Sequence, residues 1–329
     1  MLSLRSKALQ ASRRFNSTSS VFKYYKTPEI PQIDVNAANG INGLFSKQGL
    51  QNAWYKRAEI YCDALDKEIA REGLAAHDPE VLVNQYAKSS SKLQLFNNAS
   101  LLYNTEFAMS CLGGVRNEDS LPAKPDSKSL LSNPDISHEI PNQPIDETFQ
   151  DWIKDSFGSV LEFKTLLLNS ANAINGDGFT WLVARKTRKS LASQSSATKE
   201  EYDNLYVLNT YNAGTPNNSV RFGQLTQISE KLRKLSEQSE DKSMTFKPPA
   251  SSILSLVDAR NVAVYGNTEY KPILAIDASP KAYLYDYGVY GKKTYLEQVW
   301  KALDWDIITR RLPPRSENYT VEGRIGRGM

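Results

Sequence analysis

Histidine and cysteine are almost missing from this chain. In 329 residues there are two of each, His77 and His138, Cys62 and Cys111, and no Cys-x-x-Cys. That scarcity excludes a zinc finger, a histidine-rich metal site and a disulfide-built scaffold, which all need several such residues at fixed spacing. Long apolar runs are missing too. No stretch approaches the roughly 18 uncharged apolar residues of a membrane-spanning helix. Nor is there a Gly-x-x-x-x-Gly-Lys-Ser/Thr loop or a strand-linked Gly-x-Gly-x-x-Gly, the backbone cradles of the common nucleotide sites. What is present is an ordinary globular composition, 40% hydrophobic and 23% charged, enough to bury a substantial core.

The net charge of +3 is concentrated at one end. Residues 1–28 contain Arg5, Lys7, Arg13, Arg14, Lys23 and Lys26, and the first acid is Glu29. Residues 1–20 hold four of the 40 basic residues; without them 36 face 37 acids, a body of net charge −1. The segment MLSLRSKALQASRRFNSTSS is Arg-bearing, Ser-rich and acid-free, with Leu2, Leu4 and Leu9 available to one face of a helix. Such a composition is that of a mitochondrial presequence, whose positive charge the membrane potential draws inward. The expectation is a matrix protein whose mature form begins between Asn16 and Tyr25. In a reducing matrix, Cys62 and Cys111, both in apolar helical patterns, read as buried thiols.

Leu50, Trp54, Ala58, Tyr61, Leu65 and Ile69 recur at steps of three and four, which predicts a long amphipathic helix stopped at Gly73. A second helical stretch runs from Leu93 to Leu112, and the two read as a hairpin domain over 40–113. Residues 114–146 carry five of the fifteen prolines and read as a linker. Helices resume at 147, with Ser159 and Glu162 at capping-box spacing. FTWLVAR, NLYVLNTY, KPILAID and KAYLYDY follow as strand candidates, then a helix opening at Thr294 and ending near Trp305. Helices, then strands, then a helix read as α+β, with a domain over 147–311 interrupted by an insertion at 217–268. A basic tail, 312–329, closes the chain.

Four segments, in order, resemble the iron/manganese superoxide dismutases. The register of the first helix puts Tyr61 at the family's gateway Tyr and Ala53 at its first His ligand. In FNNASLLYNTEFAMSCL, Asn104 stands at the second His. FGSVLEFKTLLLNSANAINGDGFTWLV is similar to the family's Phe-Gly-Ser…Phe-Lys helix and the Gly-rich turn into its sheet, with Asn175 near a hydrogen-bonding Gln. In PILAIDASPKAYLYDYGVYGKKTYLEQVWKALDWDIITRR, the Asp-x-Trp-Glu-His-Ala-Tyr signature becomes Asp277 to Tyr283. The resemblance implies an N-terminal helical hairpin and a C-terminal α/β domain with a three-stranded antiparallel sheet, here with insertions. It also implies a metal held by three His and one Asp, of which only Asp277 survives. Lys281 stands at the last His, and Pro280 at a Glu that bridges the dimer. Asp277 and Lys281 are expected to form an ion pair. His77 and His138, in polar Pro-flanked loops, belong on the surface. No catalytic residue, metal or cofactor is expected.

A dismutase-like chain with a presequence, insertions and a basic tail is similar to the dismutase-like proteins of the fungal mitochondrial small ribosomal subunit, in which two related chains occur. That likeness implies a structural constituent of the ribosome, partnered by ribosomal proteins and rRNA, with no membrane association. It also implies a heterodimer with a second dismutase-like chain, through Pro280, Lys281 and Tyr283. Arg185, Lys186, Arg188 and Lys189, with Arg310, Arg311, Arg315, Arg324 and Arg327, are the candidate contacts to RNA or ribosome, since clustered cations neutralise phosphates. Two alternatives stand beside this reading: an active or metal-binding mitochondrial dismutase, and a stand-alone matrix interaction protein.

Overall fold

The computed structural model describes residues 23–35, 37–116, 120–124, 126, 140–186, 201–216 and 269–316. The segment 1–20 read as a presequence, much of 114–146, His138, Arg188, Lys189, the segment 217–268 read as an insertion, Arg324 and Arg327 lie outside the described residues.

The N-terminal half is helical. Gly40–Ile41 pairs antiparallel with Phe45–Ser46, and Ser46 caps a helical turn, Lys47–Leu50, by accepting from the Gly49 amide. The chain then widens into a π turn, Gln51–Tyr55, and continues as α1, Lys56–Glu72. Ala58, Tyr61, Leu65 and Ile69 form the buried stripe that the spacing predicts. Gly73 ends α1 at φ 61°, its N–H closing on Ile69 O, a left-handed position that glycine fills without a Cβ clash. A short helix that the apolar spacing does not announce, α2 (Pro79–Tyr86), buries Leu82 and Val83. Helix α3, Leu93–Met109, packs against both α1 and α2. The N-terminal strand of chain is tied across this unit: the Tyr24 and Tyr25 amides donate to the buried Asp66 Oδ1 at 3.0 and 3.2 Å.

The C-terminal half places three strands between helices. Helix α4 (Glu147–Phe157) is capped by Asp146, and α5 (Val160–Ala173) by Ser159, which accepts from the Glu162 amide as its spacing predicts. Strands β1 (Gly178–Lys186), β2 (Tyr202–Tyr211) and β3 (Tyr270–Asp277) form one antiparallel sheet in the order β2-β1-β3. The central strand is buried without a break from Gly178 to Ala184, because both of its faces are covered. Its register sets Phe179 opposite Thr210 of β2 and Asp277 of β3. Trp152 of α4 ties to β2 by donating from Nε1 to Asp203 O at 2.7 Å.

Three expectations about the C-terminal segments are corrected. KAYLYDY is not a strand: Pro280–Tyr287 is helix α6, with Pro in its first turn and Ala282, Tyr283, Asp286 and Tyr287 buried at helical spacing. Tyr at every second position mimicked strand alternation. The next helix, α7, spans Lys292–Ala302, so Thr294 lies inside it. It is not the last: Asp304 accepts from the amides of Asp306 and Ile307 and starts α8, Trp305–Arg310. Beyond α8 the chain stays with the body. The Tyr202 amide donates to Pro314 O at 3.0 Å and the Ser316 amide to Tyr202 O at 2.8 Å, a parallel bridge onto β2. The first residues of the expected tail are thus part of the folded unit. Among the described residues no helix is long and apolar enough to cross a membrane.

Candidate functional site

Ala53 in the π turn and Arg57 and Tyr61 on α1 recur at steps of four, and all three are buried. Arg57 reaches the end of β3, where Asp277 follows the last apolar residue of the strand, and Tyr61 holds Arg57 from its own helix. Arg57 was missed in the sequence because it interrupts an otherwise apolar stripe. A cation at the stripe's centre, between Ala53 and Tyr61, was the available signal.

Arg57 is the centre of this site. Its Nη1 lies 2.5 Å from Asp277 Oδ2, and its Nε donates to the Tyr61 hydroxyl at 3.1 Å. The guanidinium carbon is 5.9 Å from the ring centroids of both Tyr61 and Phe179. Burial alone disfavours the charged guanidinium, but Asp277 and Tyr61 outweigh it and hold its pKa above the ordinary value. The other carboxylate oxygen, Asp277 Oδ1, accepts from the Ser279 amide at 2.9 Å and from the Ser279 hydroxyl. The Asp277 carbonyl accepts from Tyr295 at 2.9 Å, and burial drives the Tyr295 phenol well up.

The expected pairing of Asp277 with Lys281 is therefore corrected. Asp277 does form an ion pair, but with Arg57. Lys281 points outward and pairs with Asp177, because the first turn of α6 turns its side chain away from the core. Asn104, fully buried on α3, donates from Nδ2 to Gly214 O at 2.7 Å, and its Oδ1 has no hydrogen-bond partner among the described residues. Asn175 is exposed beyond α5 and takes no part. His77 is exposed, as expected, and its backbone N–H donates to the Tyr25 hydroxyl at 3.1 Å.

As a donor set for the iron or manganese that the family resemblance implies, these residues do not fit. Ala53 has no ligand atom, Asn104 offers one amide oxygen, Lys281 faces away, and the one carboxylate is already held by a guanidinium. Among the described residues no group of three or more His, Cys, Asp or Glu could hold a metal ion.

The candidate ribosome contacts are spent differently. Arg185 forks onto Asp203, with Nη2 at 2.7 Å, and lies 5.0 Å from the Tyr206 ring centroid. Lys186 reaches Glu269 at 2.6 Å. Arg311 turns back over Phe107, 4.4 Å from its ring centroid, and donates to Ser110 Oγ at 2.7 Å. Arg315 pairs with Asp155 at 2.7 Å and covers Trp152. These four cations are engaged within the chain. Arg310 is exposed and has no ion-pair partner among the described residues. At the candidate interface, Pro280 is half-buried and Lys281 exposed, but Tyr283 packs inward, 5.7 Å from the Tyr295 ring. Beside them Leu284, Tyr285, Val289 and Tyr290 are exposed. Both cysteines are buried, as expected; burial pushes the Cys62 thiol up to about 11 and raises Cys111 too.

A helical N-terminal unit packed on a three-stranded antiparallel domain, with a buried carboxylate at the end of the third strand, is a dismutase architecture. Residues 145–212 and 219–311 match the family described as iron/manganese superoxide dismutases, C-terminal domain, so the C-terminal part of the chain carries that family's domain. The chain is similar to the small ribosomal subunit protein mS42 of Schizosaccharomyces pombe, 24% identical over 233 residues, 71% of this chain and 73% of that one. It is also similar to the chloroplastic superoxide dismutase [Fe] 2 of Oryza sativa subsp. japonica, 25% identical over 190 residues, 56% of this chain and 62% of that one.

Proposed function

We propose that this chain is a structural constituent of the mitochondrial small ribosomal subunit, built on a dismutase fold without the metal site, and not an enzyme. The observation that carries the reading is the likeness to a small ribosomal subunit protein over 71% of the chain, more than the dismutase C-terminal domain alone. Two features support it. The acid-free leader suits import into the matrix, where this ribosome works. The family's donor positions hold Ala53, Asn104 and Lys281 instead of histidines, and side chains alone do not supply one-electron chemistry.

Its partners are the small subunit's proteins and rRNA, together with a second dismutase-like chain in a heterodimer. The exposed Leu284, Tyr285, Val289 and Tyr290, next to Pro280 and Lys281, give such a chain an apolar surface to cover. Arg310, with Arg188, Lys189, Arg324 and Arg327, supplies the cations left for phosphate contacts. The described Arg185, Lys186, Arg311 and Arg315 brace the body first.

The test is sedimentation of a mitochondrial extract. The protein should travel with the small subunit and leave it only on dissociation. A protein found wholly in the soluble fraction would overturn the ribosomal role in favour of a stand-alone matrix protein. Likeness to the rice enzyme is the observation behind a dismutase reading, and superoxide-dismuting activity of the pure protein would establish it.

A further inference from the structure

Asp277 and Arg57 are each 5% exposed, in a setting where a lone charge of either sign is strongly disfavoured. They come from opposite halves of the molecule, 220 residues apart in sequence, one on the first long helix and the other at the end of the last strand. The carboxylate is the one member of the family's donor set that the chain retains. Its two oxygens are both engaged, one by Arg57 and the other by Ser279. The guanidinium is fixed in turn by Tyr61 and lies over the Tyr61 and Phe179 rings, 5.9 Å from each centroid. A planar cation with directed donors, framed by aromatic faces, is better suited to such a site than a flexible ammonium.

We propose that the Arg57 guanidinium is a built-in cation that takes over the structural part of the missing metal: it neutralises Asp277, clamps α1 to β3, and makes folding of the chain independent of any metal ion. This goes beyond the ribosomal reading and does not depend on it, since it concerns what holds the free chain together. Losing metal ligands from a buried site leaves an unbalanced carboxylate behind. A long cation inserted from the facing helix restores the balance without a bound ion, and it occupies the approach to Asp277.

The experiment uses the full-length purified chain and follows thermal unfolding. The midpoint should be the same with excess EDTA, with manganese(II) chloride, and with neither. A midpoint raised by manganese, or lowered by EDTA, would overturn the proposal. A double-mutant cycle tests the charge balance. Arg57→Met should lower the midpoint by many degrees, and Arg57→Lys by less, because the ammonium keeps the charge but loses the fork. Asp277→Asn added to Arg57→Met should regain a large part of the loss, since the amide keeps the Ser279 contacts and removes the stranded charge. Additive losses at the two positions would show packing alone and refute the clamp. If Arg57→Met does not fold, recovery of folding in the double variant supports the proposal, and an unfolded double variant counts against it.

Discussion

Ser46 and Asp286, 240 residues apart, meet through two hydrogen bonds: the Ser46 amide donates to Oδ2 at 2.9 Å and the Ser46 hydroxyl to Oδ1 at 2.6 Å. The same hydroxyl accepts from the Gly49 amide, so one serine both starts the helical turn Lys47–Leu50 and fastens it to α6. Gly49 is required by this closeness, since a Cβ there would lie 1.8 Å from Asp286 Oδ2. Gly49→Ala and Asp286→Ala should each destabilise the chain, by about 2 kcal/mol or more on the scale of buried hydrogen bonds to a charged group. Urea unfolding measures both. Because the substitutions break one contact, Asp286→Ala should absorb part of the Gly49→Ala loss when the two are combined.

Truncation separates the body from the terminal basic residues. Removal of everything after Leu312 takes away the Pro314 and Ser316 bonds to Tyr202 and the Arg315 contacts with Asp155 and Trp152. That variant should lose about 2 kcal/mol, chiefly from the two backbone hydrogen bonds and the cover over Trp152. Removal of residues 317–329 leaves all of these interactions in place and should leave the unfolding midpoint unchanged. If Arg324 and Arg327 neutralise phosphates, the same truncation should flatten the salt dependence of subunit binding, by about one unit of slope for each phosphate set free.

Stability should fall in alkaline solution. The Cys62 thiol is raised by burial, with Asp66 and Asp63 adding to it, from its ordinary 9.0 to about 11. Cys111 is raised by burial against the opposing pull of Arg311. Between these limits the folded state holds protons that the unfolded chain has released, so stability decreases as pH rises. The contribution is complete below about pH 9 and is lost as the pH climbs through the folded values. Denaturant midpoints from pH 8 to 10.5 test the direction. Cys62→Ser with Cys111→Ser should reduce the slope. Neither thiol should react with iodoacetamide in the folded protein at pH 8, because the thiolate is the nucleophile.

The proposed dimer surface can be tested from Lys281. Its ammonium is exposed on α6 beside the apolar Leu284 and Tyr285, so a lysine-directed crosslinker on the intact small subunit should join it to a different, dismutase-like chain. Leu284→Glu with Tyr290→Glu should weaken that crosslink while leaving the free chain folded, since both side chains are solvated there. Crosslinks from Lys281 to its own copy alone would instead indicate a homodimer.

Much of the fold was legible in the residues. The stop at Gly73, the cap at Ser159 and three of the four strand candidates follow from local chemistry that tertiary packing reinforces. The π turn at Gln51–Tyr55 left no mark in the spacing, since one extra residue per turn is absorbed by a broad apolar stripe. Helix α6 was obscured by alternating tyrosines, although Pro280 at its start is a helix signal. At the site, Asp277 could be singled out by resemblance, but its partner could not. Lys281 is nearest to it in sequence, and only the packing of α1 against β3 brings Arg57 to it. The basic residues show the same gap, because a cluster of Arg and Lys looks alike whether it waits for phosphate or braces Asp203 and Asp155.

The strand order β2-β1-β3 has a consequence for how this chain can change length. The last two strands in sequence lie on opposite sides of β1, so the chain leaves one outer edge of the sheet after Tyr211 and re-enters at the other at Tyr270. Closing a loop becomes only logarithmically harder as it grows, about 0.6 kcal/mol for each doubling. Sequence can therefore enter, be exchanged or be pruned at this one junction while every strand keeps its neighbour. An ancestral enzyme domain with such an inlet can acquire new attachment surfaces by descent without having to re-specify its sheet.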